Sequence, residues 1–196
     1  MKATFHKSAS TKLAASVLAL SPAVALAHPG HSHDSMAFTC GLTHPVTGID
    51  HLIMLVAFGL LVGCLKVTNK QKLGLVAAAF ATLMFGLLIG HVLGVASGVE
   101  AAIVASLFVV SGAIWHAFNA SQRMIKLAVG LCISMMFFHG YAHGVEASAA
   151  IGPFSMGMGI TACVLMTLGV QGGRLLSSPW LSVAVATASS LFLVAS

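Results

Sequence analysis

The sequence predicts an all-α integral membrane protein, built as a bundle of about six transmembrane helices after a cleavable signal peptide. Hydrophobic residues make up 58% of the 196 positions and charged residues only 7%, whereas soluble domains carry about 25% charged residues. The mean hydropathy is +1.01, and the apolar residues form runs near the ~20 residues that a bilayer-spanning helix requires. This composition offers no basic surface for nucleic acid and gives a soluble Rossmann or hydrolase fold no support.

Residues 1–27 have the pattern of a secretory signal peptide. Basic residues up to Lys12 precede an apolar stretch over residues 13–20, and the segment closes with Ala25-Leu26-Ala27, an A-x-A cleavage pattern. The apolar stretch is shorter than a bilayer span, which favours cleavage over an uncleaved first helix. Cleavage after Ala27 would leave a histidine-rich segment at 28–43, outside the cytoplasm, ahead of a six-helix transmembrane domain at 44–196.

The histidine-rich segment opens with His28, His31 and His33, followed by Asp34. Histidines and a carboxylate this close together form a compositional metal-binding tract. We expect these three histidines to give accessory metal capture, and the alternative that they have no measurable role stays open. Residues 35–43 are interpreted as a short connector to the first span.

The apolar runs predict six spans, at residues 48–66, 73–93, 101–118, 126–145, 153–171 and 179–195. The basic residues that follow the signal peptide all fall in alternate loops, at Lys66, Lys70, Lys72, Arg123, Lys126 and Arg174. By the positive-inside rule these loops face the cytoplasm. We therefore expect a multi-pass membrane protein whose mature N-terminus lies outside the cytoplasm. Three spans on each side of the Arg123 loop would have opposite orientation, as in transporters built from inverted repeats.

Glycines recur every four residues in three of the predicted spans. They are Gly59 and Gly63 in the first, Gly86, Gly90 and Gly94 in the second, and Gly140 and Gly144 in the fourth. Small residues at this spacing let two helix backbones approach closely in lipid, where no hydrophobic effect drives helix to helix. We expect these glycines to mark tightly packed helix pairs.

A polar stretch closes the fourth predicted span. His139, His143 and Glu146 are spaced i, i+4 and i+7, so that two imidazoles and a carboxylate share one helix face. This mixture of ligands suits a borderline divalent metal such as nickel, cobalt or zinc. His91, near the outer end of the second span, is a further candidate ligand at the same predicted depth.

A second polar stretch lies at the outer start of the first span. Asp50 and His51 begin an otherwise apolar helix, and His44 precedes them. Pro45 and Gly48 interrupt a regular helix, so we expect His44 on a turn that folds back over the helix end. The two stretches are predicted to meet in the membrane and to bind a metal ion with His44, Asp50 and His51 on one side.

These residues carry a resemblance to a known family. The spacing His44-x5-Asp50-His51 and the run Phe138-His139-Gly140-Tyr141-Ala142-His143-Gly144-Val145-Glu146 resemble the two signature motifs of the HupE/UreJ family. That family comprises bacterial nickel and cobalt permeases, often associated with hydrogenase or urease. The resemblance implies a secondary transporter of the bacterial inner membrane, with a periplasmic N-terminus, that takes up Ni²⁺ or Co²⁺ from the periplasm. The ligand types by themselves also leave Zn²⁺ open as the transported ion. It makes functional positions of His44, Asp50, His51, His139, His143 and Glu146.

The implied protein needs a divalent metal ion as its cargo and a lipid bilayer around it, with no prosthetic group, nucleic acid or evident ATPase subunit. No nucleotide-binding motif is present in the sequence. Two other classes stay open: a membrane-embedded metal-dependent enzyme with an open coordination position, and a haem protein with histidine axial ligands. No HExxH motif supports the enzyme. The choice of metal, the transport mode, the coupling ion and the oligomeric state stay open.

Overall fold

The computed structural model describes residues 33–147 and 150–195, and in this part of the chain all regular secondary structure is α-helical. Its seven helices are α1 (His33–Thr47), α2 (Ile49–Cys64), α3 (Asn69–Leu93), α4 (Val99–Asn119), α5 (Gln122–Glu146), α6 (Ile151–Leu176) and α7 (Trp180–Ala195). The all-α prediction is therefore confirmed for the described residues. The predicted signal peptide, His28 and His31 lie outside them.

Four helices, α3 to α6, are long and apolar enough to cross a membrane. Helices α1 and α2 pass the same test together, as a pair bent by 74°, which would make five spans. Helix α7, with 16 residues, is a shorter apolar helix. The chain thus has the helices of a multi-pass membrane protein, and by length and composition they support four or five spans of the predicted six.

The prediction of a connector at residues 35–43 and of a turn at His44 is wrong, because both lie in α1. Threonine hydroxyls bond back into this helix: Thr39 donates to the Ser35 carbonyl (2.9 Å) and Thr43 to the Thr39 carbonyl (3.0 Å). Pro45 and Gly48 bend the chain instead of unwinding it. The Gly48 amide still donates to the His44 carbonyl at 2.9 Å, so α1 runs across the predicted boundary at residue 44.

Glycines pack α3 closely against α5, which confirms the packing role that the sequence predicts for them. A Cβ added to Gly86 or Gly90 on α3 would overlap backbone carbonyls of α5, and one added to Gly140 or Gly144 on α5 would overlap those of α3. At Gly144 the added atom would also lie 2.7 Å from the His91 amide nitrogen. Only glycine permits such close backbone contact, so these two helices form one tightly packed pair.

A second pair, α2 with α6, is built in the same way. An added Cβ would lie 2.8 Å from the Gly169 Cα if placed on Gly59, and 2.8 Å from the Gly173 Cα if placed on Gly63. In both pairs the contacts advance in the same direction along the two helices. The helices of each pair are therefore parallel. This is the orientation expected of two spans that are separated along the chain by an odd number of other spans.

Gly94 differs from the other predicted packing glycines. It is the C-cap of α3 with a φ of 72°, and an added Cβ would meet nothing within 4 Å. Glycine adopts a positive φ more readily than other residues and is common at the ends of helices. The prediction of a packing role for Gly94 is therefore wrong, since this residue ends α3.

Candidate metal centre

Four histidines from three helices form one cluster where the α1–α2 bend meets the end of α5. The His51 ring on α2 lies 4.1 Å from the His143 ring and 4.8 Å from the His139 ring, centroid to centroid. The His44 ring on α1 lies 4.7 Å from His143. The structure therefore brings together the two stretches that the sequence singled out.

Helix α5 orients its two histidines through the glycines beside them. Gly140 and Gly144 are each one residue on from His139 and His143, so they lie about 100° further round the helix. The α3 backbone occupies the glycine face. The imidazoles consequently face His51 on α2, at the junction between the two glycine-packed pairs.

The cluster runs from an exposed rim to a buried floor. The side chains of Glu146 and His44 at the rim are 56% and 34% exposed, and those of Asp50 and His51 are 17% and 9% exposed. His139 and His143 are each 1% exposed and form the floor. A cation that reaches the floor from solution would therefore meet Glu146 and His44 first, and the buried imidazoles of His139 and His143 last.

At the rim, α1 and α5 are joined by an ion pair. The His44 Nε2 lies 2.8 Å from the Glu146 Oε2. His143 contributes a third donor, and one ligand atom from each of these residues lies within 4.8 Å of the others. Two imidazoles and a carboxylate at this separation could bind a borderline divalent cation once His44 has released the proton that it shares with Glu146.

At the floor, three imidazole nitrogens are buried and have no hydrogen-bond partner among the described residues. They are the Nε2 of His51, the Nδ1 of His139 and the Nδ1 of His143. A buried polar atom without a partner costs about 1–3 kcal/mol, and such atoms are rare in folded proteins. An imidazole nitrogen needs a free lone pair to bind a metal, so each of these three atoms is available to a cation.

Asp50 fixes the tautomer of the His51 ring. Its Oδ1 accepts from the His51 Nδ1 at 2.8 Å and from the His51 backbone amide at 2.9 Å. A carboxylate only accepts hydrogen bonds, so Nδ1 carries the proton and Nε2 keeps its lone pair. The sequence predicts Asp50 as a metal ligand, and in the structure this oxygen is engaged by His51.

Gly48 leaves the space in which this pair forms. A Cβ added there would lie 3.1 Å from the His51 Nδ1 and 3.4 Å from the Asp50 Oδ1. On α6, the Phe154 ring lies beside the rim, with its centroid 6.2 Å from that of His44 and 6.5 Å from that of His143. Sequence reasoning missed both contributions: Gly48 was considered only as a helix breaker, and nothing in the local pattern singles out Phe154.

The remaining predicted ligands lie elsewhere. His91 is exposed in the last turn of α3, where its backbone packs on Gly144. His33 is the first residue of α1. His28 and His31 fall outside the described residues.

The fold and the cluster define a class: a helical multi-pass membrane protein with an imidazole- and carboxylate-lined candidate site for a metal cation. A family model described as HupE / UreJ protein matches residues 16–195. The chain is also 32% identical over 141 residues to Protein HupE of Rhizobium leguminosarum bv. viciae. This chain belongs to the HupE/UreJ family, which confirms the resemblance seen in its motifs.

The match to the rhizobial protein covers 69% of this chain and 66% of the relative. The chain therefore spans slightly less than two thirds of the relative's length. No solved structure matches the chain.

Proposed function

We propose that this protein is a permease for divalent nickel, with cobalt as a second cargo, and that it carries the ion across the bacterial inner membrane into the cytoplasm without acting as an enzyme. The observation that carries the proposal is the set of three buried imidazole nitrogens on His51, His139 and His143 that find no hydrogen-bond partner within residues 33–147 and 150–195. Membership of the HupE/UreJ family supports the same cargo, since the motifs resemble those of nickel and cobalt permeases.

Capture begins at the rim. A hydrated cation approaches Glu146 and His44, where a carboxylate offsets its charge while waters are still bound. A carboxylate beside the cation lowers the free-energy cost of bringing its charge into the membrane. His143 lies within reach of both the rim ligands and His51, so it can hold the ion while the outer ligands are exchanged for inner ones.

The floor then holds the ion with neutral imidazoles. Asp50, bonded to His51, balances part of its charge at close range. Imidazole favours nickel, cobalt and zinc over magnesium and calcium, which prefer oxygen ligands. Binding of this kind removes water from the ion and stays reversible, as a transport site requires.

Release toward the cytoplasm requires the helices to move. Met54 lies one turn after His51 on α2, Met136 lies one turn before His139 on α5, and both are fully buried. The buried ligands belong to two different glycine-packed pairs: His51 lies on α2, which packs on α6, and His139 lies on α5, which packs on α3. We propose that these pairs rock as rigid bodies about the site, which would open a path past these two buried methionines.

Nickel accumulation in living cells tests this proposal. Radioactive nickel uptake is measured in cells expressing the wild type, the His143→Ala variant or an empty vector, with membrane levels of the two proteins matched. We expect uptake by the wild type alone, and excess unlabelled cobalt should compete more strongly than magnesium. Wild-type cells that accumulate no more nickel than empty-vector cells would rule out uptake.

A further inference from the structure

A serine outside both sequence motifs touches the floor of the cluster. Ser106 on α4 is 0% exposed, and its Oγ lies 2.8 Å from the His139 Nε2. The same oxygen lies 2.6 Å from the backbone carbonyl of Ile103, one turn earlier on α4. Helix α4 thus reaches the candidate metal centre through one hydroxyl group.

The two contacts together determine which atoms donate. A serine hydroxyl has one hydrogen and a carbonyl oxygen can only accept, so Ser106 donates its hydrogen to Ile103. The Ser106 oxygen is then left as an acceptor for His139. Its partner, the Nε2 of His139, must therefore carry the imidazole proton.

We propose that Ser106 is a positioning residue that keeps His139 in the Nε2–H tautomer and thereby points the lone pair of Nδ1 into the metal site. That Nδ1 is one of the three buried nitrogens without a partner. The inference rests on the proposed function, because it takes the transported cation to be the ion that this lone pair binds.

The arrangement mirrors the one on the opposite side of the site. Asp50 accepts the Nδ1 proton of His51 and leaves Nε2 free, whereas Ser106 accepts the Nε2 proton of His139 and leaves Nδ1 free. The centroids of the two rings lie 4.8 Å apart, and the two partners leave different nitrogens of these neighbouring rings without a proton. Partners of this kind fix ligand tautomer and orientation, and their removal commonly lowers metal affinity 10- to 100-fold.

Ser189 provides a matched control. It is also 0% exposed, and its hydroxyl donates to its own helix, at the Val185 carbonyl (2.8 Å). Replacing either serine by alanine removes one buried hydroxyl and one bond of this type. Only Ser106→Ala also removes a partner of an imidazole.

The test uses the purified full-length protein in lipid nanodiscs, as wild type, Ser106→Ala and Ser189→Ala. Nickel affinity is measured by competition with a chromophoric chelator, and ¹⁵N NMR of histidine-labelled, metal-free protein reports the tautomers, with His139→Ala identifying the signals of that ring. We expect Ser106→Ala to bind nickel about 10- to 100-fold more weakly and to lose the pure Nε2–H pattern of His139. Ser189→Ala should match the wild type in both.

Two results would overturn the inference: a His139 tautomer that Ser106→Ala leaves unchanged, or an affinity that both serine variants lower equally. Failure of the proposed function would look different. In that case the wild type itself would bind no nickel, while the NMR of the metal-free protein would still decide whether Ser106 sets the tautomer.

Discussion

The Asp50 Oδ1 lies 2.8 Å from the His51 Nδ1 and 2.9 Å from the His51 backbone amide. One carboxylate oxygen therefore holds both the backbone and the ring of the residue that follows it. Since Gly48 leaves room beside the pair, the first turn of α2 presents the His51 Nε2 to the histidines of α5 in a fixed direction.

Replacing Asp50 by alanine should weaken nickel binding about 10- to 100-fold, because His51 loses the partner that fixes its tautomer. The purified variant is titrated with nickel beside Glu100→Gln. Glu100 is an exposed acidic residue in the first turn of α4 and is not part of the cluster, so its variant should bind like the wild type. Equal affinities for Asp50→Ala and wild type would show that the hydrogen bond to His51 has no role in ligation.

Glu146→Gln should impair capture more than ligation. The carboxylate is more than half exposed and attracts the cation before the ion loses its water. We expect nickel uptake to fall at low external nickel and to recover at saturating concentrations, so that KM rises while the maximal rate changes little. A lowered maximal rate with an unchanged KM would instead indicate a role in a later step.

Gly140→Ala should destabilise the folded protein by about 1–3 kcal/mol or more, the usual cost of overpacking, since its Cβ would overlap the Leu83 carbonyl on α3. Gly130 is the matched control on the same helix, because a Cβ there meets nothing within 4 Å. Gly130→Ala should leave the melting temperature unchanged or raise it, since alanine favours helix. Thermal unfolding of the two variants in detergent measures the difference, and similar melting temperatures would contradict the close packing of α3 on α5.

Helix periodicity explains which parts of the site the sequence could predict. The spacing of His139 and His143 puts them on one face of any helix, and repeated glycines such as Gly86 and Gly90 are a pattern typical of close helix contact. Both features depend on neighbours along the chain, and both agree with the structure.

Tertiary contacts explain what the sequence did not reveal. Ser106 is 33 residues from His139, and serine is common in helices, so no local pattern connects the two. The helix over residues 33–47 was missed because Pro45 and several polar residues resemble a loop, whereas threonine hydroxyls and packing on α6 sustain it: the Thr161 Oγ1 donates to the Leu42 carbonyl at 2.7 Å. Gly94 fits the four-residue pattern, but its positive φ ends the helix.

The central claim, that buried imidazoles bind the transported cation, is tested most directly by nickel binding to purified protein. The wild type is compared with variants in which His51, His139 or His143 is replaced by alanine, and with His116→Ala. His116 is exposed in the last turn of α4 and lies outside the cluster. We expect the wild type and His116→Ala to bind nickel tightly, and each of the three cluster variants to bind nickel at least about 100-fold more weakly. Cluster variants that bind nickel as tightly as His116→Ala would contradict it.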